Sequence, residues 1–387
     1  MADYKPEIEY TEKGWRIKTD PNRHHRENNW DYSGRAIYHF TLVVAERYPL
    51  FGKLIVNTPK DAYIELNEYG LQVKNILKGL TQFYQPKGYE LKILATKIMP
   101  DHIHLVLQVL EPLPRSIGTV IRGFKAACTK VYKERYVDNG GENATEMHEE
   151  LNKQLNQSQN KSQSDQSIVY FARIFAGKGS VWQTDPAHYH ERILHSDGQL
   201  RRMIDYVNDN PRRLALKRAN PQLFKLHQHV KVAGFECTTL GNQFLLDFPM
   251  KSEVQCSRRL TQTEIAEKYG KCLAEAERGT VFVSASISEG EKHICRALRE
   301  TGFPLIILLK DGFPAEDSVY YKYFKPQGIY FEACAKGQLL LIEPNKDFYE
   351  NKTIEKAVYD KTDSLPHDTM RYKFIALNTL AKLISQN

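Results

Sequence analysis

The stretch YELKILATKIMPDHIHLVLQVLE, residues 89–111, decides the fold of the first part of the chain. It predicts two strands joined by a turn at residues 99–101, where Met-Pro-Asp interrupts the apolar runs. Together with the segments on either side of it, this stretch gives residues 36–210 the predicted order of elements β-(β)-α-β-β-α-β-α. This order favours an α+β fold, a ferredoxin-like antiparallel sheet with helices on one face. The predicted segments are a strand at 37–47, a short strand or turn at 50–56, helices at 65–83 and 114–136, strand material at 168–194 and a helix at 197–210.

Two histidines begin the second of these strands. His102 and His104 are two residues apart and therefore face the same side of the strand. We expect Ile103 and Val106 to be buried on the opposite face, with the histidines at the edge of the sheet. Two later His-x-His triplets lie in poorer strand contexts. Because most such pairs are ordinary surface pairs, a metal site here needs support from a second element.

A helix about 100 residues later supplies that element. Ser196 starts an S-x-x-Q capping box, and Pro211 predicts that the helix ends at Asn210. Tyr206 and Asn210 are four residues apart and share a face with Arg202. That face offers a phenol that can act as nucleophile, an amide oxygen that can bind a metal and a guanidinium for phosphate. The alternative is that Tyr206 packs in the core while Asn210 caps the helix end.

Several motifs occur together and in one order. MPDHIHLVLQV (99–109) is followed by VWQTDPAHYHERIL (181–194) and IDYVNDNP (204–211), with DYSGRAIYHFTLVVAERYPLFGKL (31–54) and IRGFKAACTKVY (121–132) upstream. Taken jointly, they resemble the tyrosine-HUH single-stranded DNA transposases, in particular the REP-associated tyrosine transposase branch. The resemblance covers roughly residues 30–213 and is interrupted by a polar segment.

The resemblance implies a reaction and a set of residues. It makes His102, His104 and Asn210 the ligands of a Mg²⁺ or Mn²⁺ ion and Tyr206 the nucleophile. The protein would then cleave and rejoin single-stranded, hairpin-containing DNA through a covalent 5′-phosphotyrosine. Tyr189 is a competing nucleophile, ranked lower because it lies on the strand before the helix.

Positive charge fits a nucleic-acid partner without proving one. Of the net charge of +7, +6 falls in residues 1–220, and basic clusters are the usual footprint of phosphate binding. A solvated surface would look similar. Our candidate DNA contacts are Arg23, His24, His25, Arg26, Arg122, Lys125, Trp182, Arg202, Arg212 and Arg213. For Trp182, burial in the sheet is the alternative to stacking on a base.

The C-terminal part predicts a second domain. Apolar strands at 280–286 and 303–309 alternate with helices, which is typical of a parallel, Rossmann-like α/β sheet. Three motifs, SASISEGEK (284–292), KPQG (325–328) and ACAKGQLLLIEP (333–344), together resemble DNA-processing protein A and the LOG proteins. The resemblance implies a phosphate or nucleotide site in the loop between the first strand and helix. A plain structural turn is the alternative. The loop residues are Ser284, Ser286, Ser288 and Gly290.

These segments predict four regions. They are a basic arm at 1–35, the HUH domain at 36–214 with a disordered polar insertion at 138–167, a connector at 215–274 and the Rossmann-like domain at 275–387. An alternative function on the same scaffold is a non-catalytic regulator that binds hairpin DNA. A nucleotide sensor whose first domain merely docks DNA is a third. A homodimer is compatible with all three.

Composition sets the outer limits. The 387 residues are 41% hydrophobic and 26% charged, which is ordinary for a globular protein of about two domains. No apolar run approaches the ~18 residues of a membrane helix, and the polar start predicts no secretory signal. The six cysteines form no C-x-x-C pair, which fits neither a zinc ribbon nor a disulfide framework. We therefore expect a cytoplasmic protein without a membrane partner.

Overall fold

The computed structural model describes residues 8–11, 14–17, 30–136, 179–183, 189–313, 329–362, 365–367 and 369–386. Contacts divide the chain into two units, residues 1–215 and 216–387. Both combine helices and strands, so the protein is a mixed α/β protein. Arg23, His24, His25, Arg26 and the predicted insertion at 138–167 lie outside the described residues.

The predicted arm at 1–35 contains a hairpin of two strands, residues 8–11 and 14–17, which was not predicted. From residue 36 on, the first unit follows the predicted order of elements with one addition. A hairpin of two strands, residues 52–58 and 61–66, precedes the first long helix. The sequence analysis missed the second strand of this hairpin. The elements are β1 (Ile8–Thr11), β2 (Gly14–Ile17), β3 (Ile37–Val43), β4 (Gly52–Thr58), β5 (Asp61–Leu66), α1 (Glu68–Tyr84), β6 (Leu91–Ile98), β7 (His102–Val109), α2 (Gly118–Tyr136), β8 (Tyr189–Ile193) and α3 (Gln199–Ala219).

A four-stranded sheet organises this unit. Its strands are ordered β6-β7-β3-β8, and each pair is antiparallel. Alternate residues of β7, such as Ile103 and Leu105, enter a core that α1 and α2 complete. On the other face, Val106 packs with Val207 of α3. Helices therefore cover both faces of the sheet, not one face as predicted.

The side of Val106 corrects a second expectation. We predicted that Val106 would lie opposite the histidines, but residues 102, 104 and 106 share one face of a strand because side chains alternate with a period of two. Val106 is fully buried with Leu194 and Val207. Val106 therefore lies beside the histidines and contacts the helix α3, which carries Tyr206.

The helix α3 continues through Pro211 instead of ending at Asn210. A proline inside a helix loses one backbone hydrogen bond and crowds the preceding turn, at a cost of about 3 kcal/mol. Pro211, Arg213 and Ala215 are all buried. Their packing offsets that cost, which the local sequence pattern does not reveal.

The second unit is built on a six-stranded sheet ordered β11-β12-β13-β14-β10-β9, in which β11 to β14 are parallel. Neighbouring residues of its central strands, such as Ile306 and Ile307, are buried on opposite faces under helices. The elements are β9 (His227–Val232), β10 (Phe235–Gly241), β11 (Lys251–Glu253), α4 (Gln262–Ala276), β12 (Val281–Ser284), α5 (Glu289–Glu300), β13 (Leu305–Leu308), α6 (Ile329–Ala335), β14 (Leu339–Pro344), α7 (Lys346–Tyr349), α8 (Lys352–Tyr359) and α9 (Met370–Gln386).

Residues 215–274, predicted as a connector, supply three strands of this sheet, because β10 pairs with β14 and β11 with β12. The Rossmann-like assignment of this unit remains a prediction. All six cysteines are free and buried. Among the described residues, no helix combines the length and apolarity needed to cross a bilayer.

Candidate active site

The two predicted metal-binding histidines converge at the start of β7. His102 and His104 face the same side of the strand, and their Nε2 atoms lie 3.1 Å apart. The rings are nearly perpendicular, with centroids 4.8 Å apart. Two imidazole nitrogens aimed at one point in this way match the arrangement of two ligands to a shared cation.

Each histidine is held through its other ring nitrogen. The Nδ1 atom of His102 lies 2.6 Å from Oδ1 of Asp101, and Arg47 donates to the same carboxylate over 3.1 Å. Burial would raise the pKa of Asp101, but the charges and hydrogen bonds of His102 and Arg47 outweigh it and hold that pKa well below the usual range. The ionised carboxylate keeps the proton of His102 on Nδ1, so that Nε2 presents a lone pair.

His104 is fixed by the neighbouring strand. Its Nδ1 atom lies 3.0 Å from Nε2 of His39 and 3.2 Å from the hydroxyl oxygen of Thr41, both on β3. Only 3% of His104 is exposed. Burial, followed by the charges of His102 and His39, lowers its pKa well below 6.5, although a hydrogen bond to Asn210 partly opposes the shift. His104 is therefore neutral at physiological pH, the form that binds metals.

The helix α3 brings the remaining two candidates to the histidines. The Tyr206 ring lies 5.4 Å from the His104 ring and 6.5 Å from the His39 ring, edge-on to both. Asn210 is almost buried, and its Nδ2 donates to the carbonyl of Tyr206 over 2.8 Å. The amide oxygen of Asn210 thus remains the part of the side chain that can act as an acceptor or ligand.

Arg213 lies against the ring of Tyr206, the candidate nucleophile. This position differs from the predicted role of Arg213 as a DNA contact. Its guanidinium is 5.2 Å from the centroid of the Tyr206 ring, a cation–π contact, and only 7% of the residue is exposed. A buried guanidinium in this position orients the Tyr206 ring and cannot serve as a surface contact for a DNA phosphate. The structure thus moves Arg213 from the DNA surface to the support of the site.

The donor set of the site fits a divalent cation. Two imidazole nitrogens and an amide oxygen suit Mn²⁺, and Mg²⁺ accepts them less readily because it prefers oxygen ligands. Without a cation or a shared proton, the two Nε2 lone pairs would repel each other. Among the described residues, no three His, Cys, Asp or Glu side chains are grouped as metal ligands. A metal in this site therefore depends on the amide of Asn210 as its third ligand.

Trp182 is a core residue and not a stacking platform. It is 1% exposed, packs against Phe51 and Phe124, and donates from its indole nitrogen to the carbonyl of Lys125 over 2.9 Å. The side chain of Lys125 lies over the Trp182 ring, and burial lowers its pKa to about 8. Of the two residues, the structure leaves only Lys125 partly accessible to DNA.

The other predicted DNA contacts divide by exposure. Arg122 and Arg202 are exposed, and each makes a single local hydrogen bond, to Thr119 and to the carbonyl of Asp197 respectively. Arg212 is partly buried and forms a two-pronged ion pair with Asp209, at 2.6 and 2.8 Å. Arg122 and Arg202 are therefore better placed for DNA phosphates than Arg212, whose charge is already neutralised.

The predicted phosphate loop of the second unit already contains an anion. The carboxylate of Glu291 accepts hydrogen bonds from the backbone N–H groups of Cys256, Ile287 and Ser288, at 3.0, 2.7 and 3.2 Å, and is 2% exposed. The hydroxyl of Ser288 caps α5, and Ser284 is buried and donates to the carbonyl of Val254.

These contacts contradict a phosphate site at Ser284, Ser286, Ser288 and Gly290. The backbone amides of Ile287 and Ser288 already donate to Glu291, and a second anion would meet the charge of that residue. Gly290 serves close packing, because a Cβ there would lie 3.1 Å from the Cβ of Cys256. The loop is a structural strand–helix turn.

Sequence reasoning missed the residues that support the site. Asp101 could have been noticed, because it directly precedes His102 in the turn. His39 and Thr41 carry no such signal, since only the pairing of β3 with β7 places Thr41 opposite His104. The side chain of Tyr189, the competing nucleophile, lies outside the described residues.

Comparisons with known proteins give weak similarities. Neither a family model nor a curated protein matches the chain. Among solved structures, a REP-associated tyrosine transposase bound to a REP hairpin is 13% identical, with 48% of this chain and 73% of that chain covered, at a TM-score of 0.25. A protein assigned as a transposase from Deinococcus radiodurans R1 is 14% identical, with 48% and 96% covered, at a TM-score of 0.23. Function must therefore be argued from the side chains of the site.

Proposed function

We propose that this chain is a metal-dependent DNA strand transferase that cleaves and rejoins single-stranded, hairpin-containing DNA through a 5′-phosphotyrosine at Tyr206. One observation carries the proposal. Residues about 100 positions apart in the sequence meet at one point, with the Nε2 atoms of His102 and His104 3.1 Å apart and the Tyr206 ring 5.4 Å from His104. A nucleophile beside two imidazoles and an amide that can hold a cation is a combination that supports metal-assisted phosphoryl transfer.

His102, His104 and Asn210 would hold the cation, Mg²⁺ or Mn²⁺. When bound, the ion polarises the scissile phosphate and stabilises the charge that develops on its oxygens. Asp101 keeps the metal-binding nitrogen of His102 unprotonated, and Thr41 and His39 orient the ring of His104.

Tyr206 carries out the covalent step. Its phenol oxygen bonds to phosphorus as the bond from phosphorus to the 3′-oxygen breaks, so that Tyr206 gives up a proton and the leaving 3′-oxygen gains one. The 3′-hydroxyl of another strand reverses the step and releases Tyr206. The phosphotyrosine retains the energy of the broken phosphodiester, so strand transfer needs no ATP.

A denaturing-gel assay tests this function. The full chain and its Tyr206→Phe variant are incubated with labelled single-stranded hairpin DNA from the flanks of the protein's own gene, with Mn²⁺ or with EDTA. We expect a covalent protein–DNA adduct that needs both the metal and Tyr206. Tyr189→Phe is the matched control and should form the adduct normally.

Three outcomes would contradict the proposal. An adduct that survives in Tyr206→Phe and disappears in Tyr189→Phe would transfer the nucleophile to Tyr189. An adduct formed equally well in EDTA would remove the metal from the reaction. Tight DNA binding without any adduct would favour a non-catalytic hairpin-binding regulator.

A further inference from the structure

A groove in the first unit lies beside the candidate active site and has no role so far. It has a volume of about 670 Å³ and runs along β6, the edge strand of the four-stranded sheet. The β4–β5 hairpin, α1, β6 and α3 all contribute to its walls. A volume of this size is typical of clefts that hold small ligands or a short piece of a polymer.

The walls of the groove carry positive charge only. Lys74 and Lys78 on α1 and Lys92 and Lys97 on β6 line it, and no Asp or Glu does. Within the described part of the chain, none of the four lysines forms an ion pair with a carboxylate. Unneutralised lysines gathered along one cleft favour a ligand with repeated negative charges.

The groove also has an apolar side with an exposed ring. Tyr63 of β5 lines it and is 46% exposed, so one face of its ring is open to a ligand. Leu77, Leu91 and Ile93 form the floor nearby. Lysines above an apolar floor with an exposed ring match the usual surface for a single nucleic-acid strand, whose phosphates pair with cations while its bases stack on aromatic rings.

The position of the groove connects it to the chemistry. Asn208 and Pro211 of α3, the helix that carries Tyr206, also line the groove. Lys97 lies directly opposite His104 in the pairing of β6 with β7. Because directly paired residues of neighbouring strands point to the same face of a sheet, the Lys97 side of the groove adjoins His104 of the proposed site.

We propose that this groove binds the single-stranded DNA segment that adjoins the scissile phosphate, with the lysines on its phosphates and Tyr63 against a base. This inference rests on the proposed function of the site at Tyr206 and adds the surface that holds the substrate. An acidic peptide is the competing ligand, but it would make no use of the exposed ring of Tyr63 as a stacking surface.

Fluorescence anisotropy in EDTA tests the groove without cleavage. Two labelled DNAs are compared on the full chain, a hairpin with single-stranded flanks and the same hairpin without flanks. The groove variant is K74A/K78A, and the matched control is K87A/K130A, two exposed lysines outside the groove. Alanine is tolerated at these helical positions.

We expect K74A/K78A to lose affinity for the flanked hairpin by about 10-fold or more. The slope of log K against log salt should become shallower by about 1.4, since each single-strand phosphate contact contributes about 0.7. Binding of the hairpin without flanks, and both affinities of the control variant, should stay as in the wild type. Equal losses on both DNAs, or an unchanged salt slope, would overturn the proposal.

A cross-linking experiment locates the strand directly. A flank carrying 5-bromodeoxyuridine is irradiated on the full chain, and the modified peptide is identified by mass spectrometry. We expect modification at Tyr63 that is lost in Tyr63→Leu, whereas cross-links confined to residues 216–387 would overturn the groove. The adduct assay distinguishes the proposed activity from the proposed binding groove. If the adduct forms but the groove variants bind DNA normally, only the groove proposal is refuted. A groove effect without an adduct would overturn only the transferase.

Discussion

Asp101 is the residue on which the geometry of the site most depends. It accepts from Nδ1 of His102 over 2.6 Å and is itself held by Arg47 over 3.1 Å. A carboxylate in this position fixes both the tautomer and the ring orientation of a metal-binding histidine. Asp101 therefore sets the ring orientation of His102, a ligand of the proposed cation, although it is not expected to touch the substrate.

We predict that Asp101→Asn weakens Mn²⁺ binding by about 10-fold to 100-fold, the usual effect of removing such a partner. The amide keeps the size of the side chain but accepts more weakly and carries no charge. Titration of Mn²⁺ followed by electron paramagnetic resonance measures the affinity without DNA. Asp205→Asn, at an exposed aspartate on α3 paired with Arg201, is the control and should bind as the wild type does. An Asp101→Asn protein with unchanged affinity would refute the role.

The β4–β5 hairpin is the element that shapes the groove, and a single glycine lets it dock. A Cβ at Gly70, in the first turn of α1, would lie 2.1 Å from the carbonyl oxygen of Phe51. No side chain fits at that distance, and a backbone atom cannot swing aside. The close approach of α1 to the start of β4 therefore requires glycine at position 70.

Gly79, on the same helix, provides the comparison. A Cβ at that position meets nothing within 4 Å. We predict that Gly79→Ala raises the free energy of unfolding of the first unit by about 0.5–1 kcal/mol, because alanine is the better helix former. Gly70→Ala should lower it by about 2 kcal/mol or more, since the backbone has to move.

Urea unfolding followed by tryptophan fluorescence measures both changes. Trp15, Trp30 and Trp182 are the three tryptophans of the chain and all lie in the first unit, so the signal reports on that unit. Similar effects of the two substitutions would contradict the packing argument.

At the same scale, the elements were easier to predict than their pairing. The helical spacing of α1 and α2 and the two strands around the turn at 99–101 were visible in the sequence, because each depends on local periodicity. The strand β5 was missed, and only its last two residues fall within the helix predicted at 65–83. The contact of His39 with His104 could not be predicted, because it depends on the register of β3 against β7, which tertiary packing sets.

On the scale of the whole molecule, the chemistry is concentrated in one unit. Tyr206, its neighbours and the groove all precede residue 216. The second unit has a separate core, with its helices on both faces of its own sheet. The two units therefore need not share the same task.

We predict that a chain ending at Ala219, the last residue of α3, forms the covalent DNA adduct without the second unit. The reason is that every residue assigned to the reaction lies before that point. The gel assay described above measures the adduct, and tryptophan fluorescence shows whether the shortened chain has folded. A folded chain of residues 1–219 that forms no adduct would show that the second unit contributes to catalysis.

The second unit contains a group of backbone N–H donors that bind the buried carboxylate of Glu291. Three backbone N–H groups, of Cys256, Ile287 and Ser288, point at one carboxylate. A shorter side chain at position 291 would leave these donors buried and unsatisfied, at a cost of about 1–3 kcal/mol each. A small anion from solution is the group that would satisfy them again. Glu291 therefore occupies the position of an external anion and stabilises the turn from within the chain.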